Sequence, residues 1–393
     1  MLERENQACS AMSIIDRVND MIGLAIERNA SDVHLESTQH GLRVRYRIDG
    51  TLYDQPSIEA MNAAQVISRI KILAHNNIAE KRIPQDGKFR LELNNKSVDL
   101  RVSTFPAIYG EKIVIRILDR TNHTIVLEKL GLQPKTLEQF KNLINRAQGF
   151  FLVTGPTGSG KTTTLYATLS ALHSSEKNII TLEDPVEYNL DGITQGQIHP
   201  EAGFTFERGI RALLRQDPDI AMIGEIRDKQ TARIAIEASL TGHLVLSTLH
   251  TNDASSTIMR LMDMAIEPFL INSSLTGVLA QRLVRKICTY CRVELEPDEQ
   301  ELKLLERLNV DMKTIYKGLG CVQCFNLGYK GRIGIFELLI MSNALRTLIV
   351  RNPLFEALQQ QAIADGLQPL IFDAREKLRI GLISLEEVIR VIC

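Results

Sequence analysis

The feature that most constrains the fold is a glycine-rich segment of nine residues, GPTGSGKTT. An apolar run precedes it and a segment with helical spacing follows, so it stands between a predicted strand and a predicted helix. Glycines let backbone N–H groups close around an anion, Lys161 supplies a point charge for phosphates, and the Thr162 hydroxyl suits Mg²⁺. The pattern predicts a phosphate-binding loop, and an ordinary turn is the alternative. The predicted nucleotide-binding residues are Gly155, Pro156, Thr157, Gly158, Ser159, Gly160, Lys161, Thr162 and Thr163.

The composition is that of a globular protein with more than one core. The chain has 393 residues, 44% of them hydrophobic and 24% charged, which predicts two or three domains. The formal net charge is −1, and basic and acidic residues are interleaved along the chain, which gives no support for sequence-independent binding of nucleic acid. No uncharged apolar run approaches the roughly 18 residues of a spanning helix, and the first residues lack a signal peptide's apolar stretch. These properties predict a cytosolic protein that is at most peripheral to a membrane.

The N-terminal part combines helical patterns with short alternating runs. Helices are predicted over 13–30 and 60–73, and strands over 33–36, 42–48, 88–93, 97–104 and 112–117. This predicts an N-terminal α+β domain over residues 1–120. The pattern then breaks down before a helix near 136–146, which predicts a linker over 121–134.

The second half alternates buried apolar runs with helical segments. The runs are 151–154, 179–182, 220–223 and 244–248, and their alternation with helices predicts a largely parallel sheet covered on both faces. We predict a core domain over 135–287, a cysteine-containing subdomain over 288–330 and a helical region over 331–393.

Two acidic segments follow the second and third of these runs, at the sheet edge where parallel sheets bind ligands. Glu183 opens EDPVE, and Glu225 lies in GEIRD. A carboxylate at this edge can reach metal and water, so Glu225 is predicted to polarise the attacking water. Gly224 occupies the place where an Asp usually precedes such a Glu. The expected ligands of Mg²⁺ are therefore Thr162, phosphates and water, and Glu183 or Glu225 would contact the ion only through these ligands. A solvated loop is the alternative for either cluster.

Two histidines flank the fourth run. His243 and His250 are seven residues apart, an odd offset that puts them on opposite strand faces. His250 lies at the end nearer the expected nucleotide edge. We predict γ-phosphate sensing or loop coupling for His250 and keep His243 as a second candidate, with a structural hydrogen-bonded histidine as the alternative for both.

Four of the six cysteines form two CxxC pairs, Cys288 with Cys291 and Cys321 with Cys324. Paired spacing in a reducing compartment favours metal over disulfide, and four thiolates suit a closed structural zinc site. A redox pair and free thiols are the alternatives. Cys9 and Cys393 have no partner pattern and are interpreted as incidental.

Together these motifs resemble one group, the type II secretion and type IV pilus assembly ATPases of the secretion ATPase superfamily. GPTGSGKTT resembles the Walker A motif, ITLEDPVEY the acidic box, LLRQDPDIAMIGEIRD the atypical Walker B motif and TGHLVLSTLHTND the histidine box. SDVHLE, KRIPQDGKF, AQRLVRKIC and GRIGIFELL extend the resemblance over nearly all of residues 12–390. The resemblance makes Gly224 a family trait.

The resemblance implies a fold and a set of cofactors. The fold is α/β, with a RecA-like P-loop motor domain, a preceding α+β domain, a small zinc-binding insert with four cysteine ligands and a helical C-terminal region. The implied cofactors are ATP, Mg²⁺ and Zn²⁺. The implied activity is ATP hydrolysis that drives pilin or pseudopilin assembly.

The resemblance also implies a homohexameric ring, with nucleotide between the motor and N-terminal domains and arginines closing on the γ-phosphate. The matching positions are Arg101 in VDLRVST, Arg116 in VIRIL and Arg260 in MRLMDM. Surface solubility is the alternative for each arginine. The implied partners are an inner-membrane platform protein and associated secretion or pilus components, with no nucleic acid.

The sequence differs from the family pattern in one respect, its cysteine pairs distinguish between two kinds of motor, and two other functions are kept as alternatives. Relatives of the secretion type generally carry a further N-terminal domain that docks on a membrane-associated partner, whereas twelve residues precede Ser13, so either the member lacks that domain or the sequence is truncated. The cysteine pairs favour an assembly or secretion motor over a retraction motor, since retraction motors usually lack them. A RecA-like nucleic-acid translocase is disfavoured by near-neutral charge and 5% aromatic content. A nucleotide-switched scaffold is disfavoured by Lys161 and Glu225.

Overall fold

The chain divides into two compact units, with the boundary between His123 and Thr124. The computed structural model describes residues 13–93, 96–118, 126–351 and 354–392. The first residues of the predicted linker, 121–125, and the two incidental cysteines, Cys9 and Cys393, lie outside the described residues. Each unit has its own sheet.

The N-terminal unit is a six-stranded antiparallel sheet with two helices. Its strands lie in the order β3-β2-β1-β6-β5-β4. The predicted helix over 60–73 has the bounds of the second helix, and the five predicted strand runs all lie within observed strands, so these predictions are confirmed. The elements are α1 (Ile14–Glu27), β1 (Ala30–Thr38), β2 (Gly41–Ile48), β3 (Thr51–Glu59), α2 (Ala60–Leu73), β4 (Gln85–Leu93), β5 (Lys96–Ala107) and β6 (Gly110–Leu118).

The two faces of this sheet differ in chemistry because side chains alternate along each strand. Val33 and Leu35 of β1 are fully buried on the face that packs against the helices. The other face is charged. Lys88, Arg101 and Arg116 stand in direct register there across β4, β5 and β6.

The C-terminal unit contains a seven-stranded sheet and a separate two-stranded hairpin. Its helices, in chain order, are α3 (Pro134–Ile144), α4 (Lys161–Leu172), α5 (Phe206–Leu213), α6 (Lys229–Leu240), α7 (Ala254–Asp263), α8 (Pro268–Ser274), α9 (Glu299–Arg307), α10 (Asn343–Arg351), α11 (Phe355–Ala364), α12 (Leu370–Arg379) and α13 (Leu385–Ile392). Its strands are β7 (Gly149–Thr154), β8 (Ile179–Glu183), β9 (Thr194–Gln197), β10 (Ile220–Ile223), β11 (Leu244–Leu249), β12 (Leu275–Ile287), β13 (Arg292–Leu295), β14 (Ile315–Gly318) and β15 (Tyr329–Ile340).

The large sheet brings the carboxyl ends of the predicted strands to one edge. Its order is β15-β12-β7-β11-β10-β8-β9, and all neighbours are parallel except β15, which runs antiparallel to β12. All six residues of β7 are buried, with Phe150 and Leu152 in one core layer and Phe151 and Val153 in the other. The prediction of a parallel sheet buried on both faces is confirmed for β7, β8, β10 and β11.

Two segments differ from prediction. Residues 331–340 were predicted as part of a helical region, but they lie in strand β15, because pairing with β12 places Ile335 and Leu339 in buried positions. Residues 127–132 were predicted as linker, but Leu127, Leu130 and Leu132 are buried in a core layer of the C-terminal unit.

The cysteine-containing segment shares a core with the C-terminal helices. The hairpin of β13 and β14 and helix α9 follow β12, and Leu305 and Ile315 of this segment pack in one cluster with Leu378 and Val388. Gly318 and Gly328 approach so closely that a Cβ on Gly318 would lie 1.9 Å from the Gly328 carbonyl oxygen. In the described part of the chain, no helix is both long enough and apolar enough to cross a bilayer.

Candidate nucleotide site and metal centre

The predicted phosphate-binding loop connects the buried strand β7 to the buried helix α4. Gly155, Gly158 and Gly160 have φ angles of 147°, 78° and 86°, which only glycine adopts readily, and Gly160 directly precedes the helix. A Cβ on Gly158 would meet nothing within 4 Å, so open space lies over the loop. N–H groups at a helix N-terminus attract anions, so this backbone suits a phosphate.

The side chains of the loop fit the same ligand. Lys161 is 9% exposed, and its Nζ donates hydrogen bonds to the carbonyl oxygens of Gly155 and Pro156 at 2.9 and 3.1 Å. Burial lowers the pKa of Lys161, and the negative charge of Glu225 opposes this shift. Ser159 Oγ is buried without a hydrogen-bond partner among the described residues, and Thr162 is exposed on the first turn of α4, open to a metal ion. The loop therefore fits a nucleotide with Mg²⁺.

Glu225 and His250 lie together at the same edge of the sheet. His250 follows β11 directly, and its Nε2 is 3.4 Å from one Glu225 carboxylate oxygen, while the other accepts a hydrogen bond from Arg227. Glu225 is partly exposed. Backbone contacts hold its segment in place, since the Gly224 N–H donates to Leu182 O at 2.8 Å and the Ile226 N–H to Thr248 O at 3.0 Å. The arrangement can hold a water molecule for attack on a phosphate placed at this edge.

The strand that carries His250 is also tied to the strand that carries the loop. Thr154 ends β7, and its hydroxyl lies 2.5 Å from the Thr251 hydroxyl and 3.0 Å from the Leu249 carbonyl oxygen. The Thr251 N–H donates back to Thr154 Oγ1 at 3.0 Å. A displacement of the loop would therefore change the contacts of Leu249 and Thr251, the two residues that flank His250.

Glu183 ends β8 but has a different environment. It is 3% exposed, and its carboxylate accepts hydrogen bonds from the Thr181 hydroxyl at 2.6 Å, the Gln195 amide at 3.2 Å and the Tyr166 hydroxyl. Burial and the Glu183 carboxylate both raise the pKa of Tyr166. Glu183 thus anchors Tyr166 of α4, and its part in magnesium binding stays a prediction.

His243 lies at the other end of the sheet. Its carbonyl accepts a hydrogen bond at 3.1 Å from the N–H of Gly149, which begins β7. The P-loop begins six residues after Gly149, so about 20 Å of strand separates it from His243. His243 Nδ1 is 2.9 Å from the Ala238 carbonyl oxygen near the end of α6. The structure does not bring His243 to the P-loop, and it gives this side chain a structural partner.

The three predicted arginines lie on exposed surfaces. Arg101 and Arg116 are directly opposite one another, and Arg116 Nε is 3.1 Å from Asp32 Oδ1, whereas Arg101 forms no ion pair with any described residue. Like charges opposite one another in a sheet repel, so an anion on this face would relieve an unfavourable contact. Arg260 is exposed on α7. Whether these arginines reach phosphate stays a prediction.

One contact of the loop was missed by the sequence interpretation. Gln281 of β12 is 2% exposed, and its amide nitrogen donates a hydrogen bond to the Ser159 carbonyl oxygen at 2.7 Å. Its amide oxygen accepts from the Thr164 hydroxyl at 2.8 Å. The available signal was a polar residue at the end of the run LTGVLAQ, in a strand that is otherwise largely apolar up to that point.

The four paired cysteines converge on one point. Their sulfur atoms all lie within 4.8 Å of one another, with Cys288 to Cys321 at 3.9 Å, Cys291 to Cys324 at 3.8 Å and Cys321 to Cys324 at 3.7 Å. Sulfurs placed tetrahedrally about 2.3 Å from zinc are separated by about 3.8 Å.

The backbone around these sulfurs also favours a metal. Burial would raise the pKa of Cys324, but N–H donors from Cys321 at 3.2 Å and Gly328 at 3.3 Å, together with the thiols of Cys321 and Cys291, bring the pKa to about 7. Since the thiolate is the metal-binding form, the two N–H groups that donate to Cys324 Sγ suit a sulfur that binds a metal ion. The donor set fits zinc.

A P-loop between a buried strand and a helix, with a carboxylate beyond the end of another strand at the same edge of the sheet, defines the class of P-loop ATPases. A family model for type II/IV secretion system proteins matches residues 7–390. The type II secretion system ATPase E of Vibrio cholerae is 47% identical over 391 residues, covering 100% of this chain and 77% of that protein. The type IV pilus assembly ATPase PilB of Thermus thermophilus is 47% identical over 376 residues, covering 95% of this chain and 42% of that protein.

A solved structure of a pilus motor resembles this chain. The crystal structure of the pilus retraction motor PilT with bound ADP has a TM-score of 0.61 and 27% identity, covering 95% of this chain and 96% of that chain. The chain belongs to the type II/IV secretion system protein family, and it is an ATP-hydrolysing motor of the secretion and pilus type.

Proposed function

We propose that the chain forms a homohexameric ring that hydrolyses ATP to assemble pilins or pseudopilins in type II secretion or type IV pilus biogenesis. The observation that carries the catalytic part is the Glu225 carboxylate beside His250, at the sheet edge where the P-loop begins. The assembly part draws support from relatives named as a type II secretion ATPase and a pilus assembly ATPase. The cysteine pairs also favour assembly over retraction.

In this proposal each residue at the sheet edge has one task. The P-loop amides and Lys161 would hold the β- and γ-phosphates, and the Thr162 hydroxyl would help to hold Mg²⁺, whose charge would neutralise the phosphate oxygens. Glu225 orients the attacking water and receives its proton. Arg227 and His250 hold the Glu225 carboxylate in place, and His250 connects it to the Thr154–Thr251 contact behind the loop.

We further propose that Arg101, Arg116 and Arg260 neutralise phosphate oxygens during hydrolysis. Support comes from Arg101, which lies opposite Arg116 and forms no ion pair within the described part of the chain, and from the matching family positions. An arginine that binds the departing phosphate makes hydrolysis depend on the position of the element that carries it. Such coupling would turn ATP hydrolysis into movement.

The proposed location is cytoplasmic, at the inner membrane through partners. The proposed partners are a polytopic platform protein and the associated pilus or secretion components. Copurification of the tagged chain with such a membrane protein from the native host tests this. Recovery of the chain without any membrane component after crosslinking would contradict it.

The ring and its arginines are tested together in solution. Specific ATPase activity should rise with protein concentration in step with the hexamer fraction measured by light scattering, because active sites completed by assembly are absent at high dilution. Arg101→Gln should keep the hexamer and lower kcat about tenfold or more. Arg43→Gln is the matched control, since Arg43 lies on the same sheet, is paired with Asp54 at 2.6 Å and is outside the family positions.

Two outcomes count against the proposal. A fully active monomer would exclude the ring, and equal kcat for Arg101→Gln and Arg43→Gln would exclude the arginine role. Stimulation of hydrolysis by DNA that weakens with salt would instead favour the nucleic-acid translocase.

We propose zinc as the ion held by Cys288, Cys291, Cys321 and Cys324. The purified protein should contain one zinc per chain by plasma mass spectrometry. Cys324→Ser should lose it and unfold at a lower temperature, because metal binding contributes free energy only to the folded chain. Cys9→Ser, outside the described residues, is the control and should retain the zinc. Full retention of zinc by Cys324→Ser would contradict the site.

A further inference from the structure

Gln281 joins two parts of the molecule that lie far apart in sequence. It belongs to β12, which runs beside β7, and its side chain contacts both the P-loop and the first turns of α4. The Ser159 contact spans 122 residues and the Thr164 contact 117. None of the binding and catalytic roles assigned above involves the side chain of Gln281.

The chemistry of the two contacts fixes the orientation of the amide. A backbone carbonyl only accepts hydrogen bonds, so the amide N–H must face Ser159 O. The amide oxygen then faces the Thr164 hydroxyl, which donates to it. Both contacts are buried, and losing a buried partner costs more than losing an exposed one. The arrangement therefore needs one donor and one acceptor in the same side chain.

The same strand also limits the space at both ends of the loop. A Cβ on Gly155 would lie 2.4 Å from the Gln281 carbonyl oxygen, and a Cβ on Gly160 would lie 3.2 Å from the Gln281 amide nitrogen. Gln281 thus contacts the first and the last glycine of the loop. Lys161 follows Gly160 directly, so the position of the phosphate-binding amine depends on this contact.

We propose that Gln281 is a positioning residue for ATP binding, which holds the P-loop in its phosphate-binding conformation. It does not touch the nucleotide. Without its amide, the loop spends part of the time in other conformations, and apparent affinity falls by the fraction of competent loop. The proposal rests on the ATP hydrolysis assigned above, and it predicts an effect on KM rather than on the chemical step.

The test compares three variants in the full-length assembled protein. Gln281→Met keeps the size of the side chain and removes both hydrogen bonds, and it should raise the KM for ATP about tenfold while kcat stays within about threefold. Gln281→Glu keeps the acceptor for Thr164 but points a carboxylate oxygen at the Ser159 carbonyl, so its KM should rise more. Thr164→Val removes only one contact, and its KM should rise less than that of Gln281→Met. Displacement of a fluorescent ADP analogue should follow the same order.

Thr276→Val is the matched control. Thr276 lies on the same strand, is 6% exposed and donates a hydrogen bond to the Phe150 carbonyl oxygen at 3.0 Å, at the end away from the loop. This variant should lose stability but keep the KM of the native protein, because a smaller folded fraction lowers only the apparent kcat.

Two results would overturn the proposal. One is a Gln281→Met protein whose KM and ADP affinity stay within about twofold of native. The other is a fall in kcat at constant KM that matches Thr276→Val, which would make Gln281 a stability residue only. Native protein that binds the ADP analogue without hydrolysing ATP would instead contradict the ATPase function, so the two failures are distinguishable.

Discussion

Replacing Lys161 with alanine is expected to abolish nucleotide binding and hydrolysis while leaving the fold intact. The ammonium group is the only side-chain cation that the described P-loop offers to a phosphate, and at present it donates to the loop's own carbonyl oxygens. Nucleotide would draw it away, since a charge-assisted bond to phosphate is stronger than one to a carbonyl. Removing a preorganised charge of this kind should lower the rate of ATP hydrolysis by about 100-fold or more.

Thermal unfolding gives a second measurement of the same variant. A ligand at 100 times its Kd stabilises a protein by about 2.7 kcal/mol, which for a unit of this size raises Tm by roughly 5–10 °C. Lys161→Ala should lose this shift on addition of Mg²⁺ and ADP. Lys135→Ala, an exposed lysine in the first turn of α3, is the control and should keep both shift and activity. A native Tm shift in Lys161→Ala would remove the basis for the phosphate site.

Replacing Glu225 with glutamine is expected to separate ATP binding from ATP hydrolysis. The amide has nearly the same shape but cannot take a proton from water, so kcat should fall by about 100-fold or more. ATP affinity should stay within a few fold of native, because the P-loop is untouched. Single-turnover hydrolysis and equilibrium binding of ATP measure the two effects separately.

The control for this variant is Glu237→Gln, an exposed carboxylate on α6 that pairs with Arg233 at 2.9 Å. It should hydrolyse ATP at the native rate. Unchanged hydrolysis in Glu225→Gln would transfer the role of base to another group and revive the nucleotide-switched scaffold. Loss of ATP binding in Glu225→Gln would mean that Glu225 supports the bound nucleotide rather than the attacking water.

Local patterns predicted much of the fold because they depend on neighbours in the chain. The buried strand β10 has the predicted bounds, since four consecutive apolar residues suit only a buried segment. The P-loop needed positive φ at defined positions, and glycines supplied it. Strand β15 was missed, because its apolar residues fit a helix until β12 is present to pair with them.

In the candidate site, too, the sequence predicted what depends on local pattern and not what depends on tertiary contacts. His250 was predicted at the nucleotide edge, because the direction of a strand follows from its place in a parallel sheet, and it lies there beside Glu225. Sequence spacing could not reveal that Glu183 would be buried against Tyr166, or that His243 would have a backbone partner on α6. Those outcomes depend on which side chains neighbouring elements present.

The sequence by itself determined a phosphate-binding loop, a parallel sheet and two cysteine pairs, because glycine conformation, apolar periodicity and CxxC spacing act over a few residues. Tertiary structure alone decided that four sulfurs meet within 4.8 Å and that Gln281 contacts the loop from a strand more than 100 residues away. The physical reason is distance along the chain. A hydrogen bond between two buried groups requires both to reach one place, and only the packed sheet brings them there.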